Sequence, residues 1–219
     1  MIKSIEKTDN KLKFVTDMKI DLANAIRRSV LEISTMAIDD IEIIKNDSAL
    51  YDENIAHRIG LIPIKTEKTS KETKFKLKEK GPKTVYSSEL SPKNDTGMSI
   101  PIVILEKGQE VEMVCNARLG KGVEHIKYSP GLVFYKNNID NDILNFVYVD
   151  EDGNIEYKED ELKNKGVSED QIKKIKSVKE AKELEFNIES WGQFEAKDIF
   201  SKSIDIIESN LNELGKTVK

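Results

Sequence analysis

The chain has 219 residues, 38% hydrophobic and 34% charged, enough for one large domain or two small ones with a real core under a broad solvated surface. A net charge of −5 gives no global attraction to nucleic acid or anionic lipid. A single cysteine, Cys115, excludes a disulfide framework and a cysteine-based metal cluster, and with no apolar leader and no membrane-length apolar run, it suits a soluble protein of the reducing cytoplasm.

In chain order, residues 2–7 and 12–18 read as two short strands around the turn Thr8-Asp9-Asn10. Asp21 is placed to cap a helix whose apolar face is Leu22, Ile26, Val30 and Ile33, at spacings of four, four and three. Arg27 and Arg28 sit side by side in that helix. Ile38 to Ile43 reads as a strand, and Tyr51 to Ile59 as a second helix stopped by Gly60 and Pro63.

From Lys65 to Lys83 the chain is rich in lysine, with Phe75 and Leu77 alternating among the charges. Two readings stand: an exposed edge strand protected by its lysines, or a phosphate-binding strip that contacts nucleic acid. Strands follow at Ile100–Leu105 and Glu110–Ala117, and residues 146–157 read as a hairpin turning at Asp152-Gly153. From Glu159 to Glu183 charge dominates, with Ser168 and Gln171 spaced as a capping box before a short helix bearing Ile172 and Ile175.

Phe186 to Ile188 suggests a last strand, and about Ala196 to Leu214 a long final helix ended by Gly215. Its residues Phe200, Ile204, Ile207, Leu211 and Leu214 step by four, three, four and three. Such a stripe packs on the chain's own sheet or against a partner helix, and periodicity alone favours the first.

Little catalytic chemistry is visible. His57 lies on the second helix and reads as structural. Cys115 and His125 suggest a nucleophilic pair only weakly, because Cys115 sits in the alternation Val111, Met113, Cys115, Ala117 of a buried strand. Arg118 to Gly122 lacks the full phosphate-loop pattern. Asp150, Asp152, Gly153 and Glu159 match part of a calcium loop, but Tyr148 stands where an Asp should open it. The residues describe an α+β protein with surplus apolar helix surface and no active site.

Four segments together resemble the D subunits of archaeal RNA polymerase, a family similar to the eukaryotic third-largest polymerase subunit and to the amino-terminal domain of the bacterial alpha subunit. They are LANAIRRSVLEIS, YDENIAHRIGLIPI, ARLGKGVEHIKYSP and FNIESWGQFEAKDIFSKSI, in that order over residues 22–204, and TVYSSEL at Thr84–Leu90 is also familial.

The resemblance implies a discontinuous dimerisation domain, residues 1–46 and 184–219, with a mostly β insert at 47–138. A charged hairpin and helix segment at 139–183 would stand where many relatives carry a third domain. It implies a heterodimer with small subunit L, joined by small subunits N and P, on which the two largest subunits assemble. Those two hold the catalytic magnesium, and DNA reaches this chain only through the complex. Phe200, Ile204, Ile207, Leu211 and Leu214 would then pack partly across the dimer, and Arg27 and Arg28 match an arginine pair that lies towards the second-largest subunit. Many relatives hold an iron–sulfur cluster in the third domain; residues 131–185 contain no cysteine, so no cofactor is expected.

Overall fold

A computed structural model describes residues 2–67, 72–94, 96–138, 147–149, 155–164, 166–169, 172 and 183–218. It contains helices and antiparallel sheets gathered around two main cores.

The first core lies under a four-stranded antiparallel sheet. Strands β1 (Ile2–Lys7) and β2 (Lys11–Thr16) form the expected amino-terminal hairpin. The sheet order is β1-β2-β11-β8, with β11 at Leu184–Ser190 and β8 at Gly131–Asn137. Leu12, Phe14 and Thr16 point to one side and are buried, as are Leu184, Phe186 and Ile188. The other side carries the ion pairs Lys11–Glu189, Lys13–Glu185 and Lys136–Glu185 and faces solvent.

Two helices cover the apolar side: α1 (Ile20–Ser29), extended by a 3-10 turn at Val30–Glu32, and the carboxy-terminal helix (Ala196–Thr217). They meet at small residues, where the Ser29 hydroxyl donates to the Ser203 carbonyl at 2.9 Å. Beneath them the rings of Phe14 and Phe186 stack with centroids 5.3 Å apart, and Phe200 meets Phe14 edge-on at 5.2 Å.

Helix α1 departs from expectation at its start. It begins at Ile20, and Asp21 falls inside the first turn without acting as a cap. The buried face is Ala23, Ile26, Val30 and Ile33, while Leu22 stays 49% exposed at the rim of that arc. The final helix runs through Gly215 to Thr217. Gly215 keeps right-handed backbone, since the positive-φ glycines described are Gly97, Gly108, Gly166 and Gly192, and no Cβ contact there favours a stop.

The second core lies under the sheet β3-β7-β4, with β3 at Thr35–Asn46, β4 at Thr73–Lys80 and β7 at Glu110–Gly120. Helix α2 (Asp52–Gly60) and the pair β5 (Lys83–Tyr86) and β6 (Pro101–Leu105) close it. The strand expected at Ile38–Ile43 is longer, because bulges after Ile38 and Ile43 break its alternation. Strands β9 (Val147–Val149) and β10 (Ile155–Tyr157) pair as the expected hairpin; its turn, with Asp150, Asp152 and Gly153, lies outside the described residues. Helix α3 (Glu159–Asn164) was not legible in the charge run, although its Leu162 is buried against Ile172. Gln171 and Ile175 lie outside the described residues. The carboxy-terminal helix is α4.

The expected division at residues 46 and 138 cuts across these sheets. β8, assigned to the insert, hydrogen-bonds along its length to β11, and β3, assigned to the dimerisation domain, pairs with β7. The cause is geometric. Pairing partners distant in sequence decide which sheet a strand joins, and composition does not record them.

Candidate dimerisation interface

The α4 stripe divides along its length. Ala196, Ile199 and Ser203 are buried, and Phe200, Ile206 and Ile207 are half-buried against the aromatic core. Ile204, Leu211, Leu214 and Val218 are 41%, 62%, 59% and 78% exposed. From Glu208 to Val218 every residue is exposed, so about 16 Å of helix extends past its own core at about 1.5 Å per residue. Of the five residues expected at a dimer contact, Ile204, Leu211 and Leu214 are free to meet a partner. Phe200 and Ile207 are largely engaged within the chain.

The sheet adds residues that the stripe did not suggest. α4 lies over β2 and β11, and α1 over β8. β1 lies beyond both. Ile5 is paired with Phe14 and Ile2 with Thr16 across the ladder, so both isoleucines point to the helix side of the sheet. They are nevertheless 63% and 49% exposed. The helix layer therefore stops short of the sheet edge and leaves an apolar strip bounded by β1 and the outer side of α4. The alternation of β1 with its neighbour was the available signal, but it needed the register to be read.

Arg27 and Arg28 both lie off the buried face of α1. The Arg27 guanidinium donates twice to the Asn24 side-chain oxygen, at 3.2 and 2.9 Å, and is half-buried. Arg28 is exposed, and no ion pair to it is found among the described residues.

The segment ARLGKGVEHIKYSP folds back on Asp39 of β3. Arg118 Nε donates to Asp39 Oδ2 at 2.6 Å; Lys127 Nζ and the Tyr128 hydroxyl donate to Oδ1 at 2.8 and 2.9 Å. Hydrogen bonds from Arg118 and Lys127 hold the Asp39 carboxyl well below its ordinary range, and burial pushes the Tyr128 phenol up to about 12. Gly120 lies under the Tyr128 ring, where a Cβ would come within 2.6 Å of it. The glycines that faintly suggested a phosphate loop thus serve packing.

The segment FNIESWGQF is a joint of the same kind. Trp191 N donates to the Pro130 carbonyl, Gln193 Nε2 to the Ser129 carbonyl, and Thr66 N to the Gln193 carbonyl, tying the two cores together.

The remaining candidates separate. Cys115 is buried between Ile41 and Phe75 on the flanking strands, and burial raises its thiol to about 12, so it is neither a nucleophile nor a ready metal ligand at neutral pH. His125 is exposed and accepts from the Lys127 backbone N–H, with no hydrogen bond to Cys115. Among the described residues no group of three or more His, Cys, Asp or Glu could hold a metal ion. The donor set present does not fit an iron–sulfur cluster. In the lysine-rich stretch, Phe75 and Leu77 are buried while Lys78, Lys80 and Lys83 pair with Glu112, Glu110 and Glu79. Among the described residues this is an edge strand on which Lys78, Lys80 and Lys83 carry acidic partners. Among the described residues, no helix is long and apolar enough to cross a membrane.

Known proteins resemble the chain in sequence. Residues 14–211 match the family model described as the RNA polymerase Rpb3/Rpb11 dimerisation domain. The chain is 39% identical to DNA-directed RNA polymerase subunit Rpo3 of Thermococcus kodakarensis, over 61% of this chain and 58% of that protein. Identity to Rpo3 of Methanocaldococcus jannaschii is 40%, over 67% of this chain and 80% of that protein. With Rpo3 of Archaeoglobus fulgidus it is 28%, over 100% of this chain and 97% of that protein. The match thus spans under two thirds of the Thermococcus relative but nearly all of the Archaeoglobus one. An antiparallel sheet backed by two helices, with an inserted β region and a match over nearly its whole length, places the chain in the RNA polymerase Rpb3/Rpb11 dimerisation-domain family, the family of the archaeal D subunits.

Proposed function

We propose that the chain is a non-catalytic assembly subunit of a cytoplasmic DNA-directed RNA polymerase. It pairs with small subunit L, is joined by small subunits N and P, and presents the platform on which the two largest subunits assemble. Catalysis and the active-site magnesium belong to those large subunits, and this chain meets DNA only through the complex. No iron–sulfur cluster takes part.

One observation carries the reading. The apolar side of the sheet is wider than the two helices that cover it: Ile2 and Ile5 on the β1 edge are uncovered, and Ile204, Leu211 and Leu214 of α4 are exposed too. Exposed apolar area returns about 25 cal/mol per Å² when covered, and a helix-bearing partner domain of related fold supplies the missing layer. Arg27 and Arg28 point away from this strip and are free to meet the second-largest subunit, since arginine makes forked contacts to carboxylates and carbonyls.

The test is co-expression with subunit L. A stable one-to-one complex is expected, and the exposed residues of α4 should gain protection from hydrogen exchange in it. If the two chains elute separately at micromolar concentration, the reading fails.

A further inference from the structure

The chain crosses from the first core to the second at Ile33–Thr35 and returns at Lys121–Pro130. Neither α1 nor α4 packs broadly on α2 or on the sheet β3-β7-β4. The orientation of the two cores therefore rests on loop contacts, and the segment Ser190–Ala196, at the end of β11, supplies several of them. Its two ends are bound to the first core. Ser190 N donates to the Asn10 carbonyl at 2.8 Å and Ala196 N to the Asp9 carbonyl at 2.9 Å, which ties the β1–β2 turn to the start of α4.

The middle of the segment reaches towards the second core. Gly192 has a φ of +102°, backbone that favours glycine, and a Cβ there would lie 3.3 Å from the Thr96 carbonyl oxygen. The Ser190 hydroxyl closes this turn, accepting from Gly192 N at 2.9 Å and donating to the Phe194 carbonyl. The turn carries Gln193 inward, where it is 2% exposed. The Gln193 carbonyl accepts from Thr66 N at 3.0 Å, and its Nε2 donates to the Ser129 carbonyl at 3.3 Å. That Nε2 bond is the one found for the side chain among the described residues. Both contacts are braced from the far side. Thr66 Oγ1 accepts from Met36 N at 3.0 Å and donates to the Ile64 carbonyl at 3.1 Å, and Met36 and Ile64 are buried in the second core. Ser129 follows Tyr128, whose hydroxyl donates to Asp39 of β3. Gln193 belongs to neither apolar cluster, so its burial places a polar amide at the seam between them, where burial without hydrogen bonds would be costly.

We propose that Gln193 is a positioning residue that sets the angle between the two cores. Its side chain fixes the return crossing at Ser129, and its carbonyl fixes Thr66 beside the start of β3. The sheet that bears the apolar strip and the second core are thereby held as one rigid unit, and partner surfaces on each are presented in a single relative geometry. This inference goes beyond the proposed pairing with subunit L and does not depend on it.

The experiment measures that angle as a distance in the full chain. Lys7→Cys on β1 and Lys107→Cys between β6 and β7 are both exposed and carry one spin label each, while the buried Cys115 takes none. Pulsed electron resonance then gives the distance distribution between the cores. Gln193→Met keeps the volume and loses the donor; Gln193→Ala loses both. One narrow distance is expected with Gln193 present. Both variants should broaden and shift it, with the melting temperature close to that of the parent. Exchange of the Thr66 N–H should quicken about fivefold, the factor that one net hydrogen bond represents. A residue that only fills space would alter stability without moving the distance. The proposal is overturned by a broad distribution with Gln193 present, or by an unchanged one in both variants. A narrow distance in Gln193→Met beside a broad one in Gln193→Ala overturns it too, because volume and not the bond then fixes the angle. Loss of the cooperative melt in both variants assigns Gln193 to the fold and overturns it as well.

Discussion

Ile5 and Phe14 face each other across the β1–β2 ladder and leave the sheet on the same side, yet Phe14 is buried beneath Phe200 while Ile5 is 63% exposed. The difference is the position of α4, which covers β2 and stops short of β1. Among the described residues nothing covers Ile5, and Ile204, Leu211 and Leu214 of α4 are exposed as well.

Ile5→Asp and Leu211→Asp are therefore expected to abolish pairing with subunit L while leaving the isolated chain as stable as before. An unpaired charge inside an apolar contact costs several kcal/mol, whereas at an exposed site the change is within about 0.5 kcal/mol. Size-exclusion chromatography with light scattering reads the first, and thermal melting the second. Ile207→Glu is a poorer probe, because half-burial against the aromatic core would lower stability as well. Wild-type pairing by Leu211→Asp would remove α4 from the interface.

Much of this was legible in the sequence because period and burial coincide. The stripe of α4, the alternation of β4 and the turn at Thr8–Asn10 all appear in the structure where pattern placed them. What pattern could not show was pairing between distant segments. Gly131–Asn137 looks like part of the insert until it is seen beside β11, and Ile5 looks like an ordinary strand residue until Phe14 is opposite. Asp39 escaped for the same reason. Its partners Arg118, Lys127 and Tyr128 lie about eighty to ninety residues on, all in one quoted familial segment, which meets another at Gln193. Helix α3 was hidden because short charged helices carry little period.

Asp39 gives a pH-dependent test. Hydrogen bonds from Arg118, Lys127 and Tyr128 lower its carboxyl below the ordinary value of 3.8. A carboxylate with a depressed folded-state value stabilises the fold above its unfolded value, and that contribution is lost as pH falls towards the folded one. The side chain is 34% exposed, so screening limits the net effect to about 1 kcal/mol. Asp39→Asn should thus lower the urea midpoint at pH 7, and the gap from wild type should narrow as pH falls below about 4. A gap unchanged from pH 7 to pH 3 would mean that the charge of Asp39 is not what holds the turn.

Cys115 bears on both redox chemistry and metal. Its thiol is buried and raised to about 12, so in the folded chain it should resist a thiol reagent at pH 8 and react only on unfolding. Purified protein should contain no stoichiometric iron or acid-labile sulfide, since one buried cysteine cannot ligate a cluster. Iron and sulfide at one equivalent or more per chain, or fast labelling of the native thiol, would show a different environment.

Arg27 and Arg28 separate folding from assembly. Among the described residues the Arg27 side chain bonds to Asn24 on its own helix and Arg28 has no ion pair, and both lie off the buried face of α1. Exposed charged contacts of this kind are worth about 0–1 kcal/mol to a fold. An arginine buried against a partner contributes about 2 kcal/mol or more to binding. Arg27→Ala combined with Arg28→Ala should leave the melting temperature within a few degrees of wild type and preserve the heterodimer with subunit L. Association with the second-largest subunit should weaken by about thirtyfold, the factor that 2 kcal/mol represents. Arg28→Lys separates charge from geometry: it keeps the cation but loses the fork, and should recover only part of the association. Normal assembly by the double variant would leave the pair without an interface, and loss of the heterodimer would assign it to the fold instead.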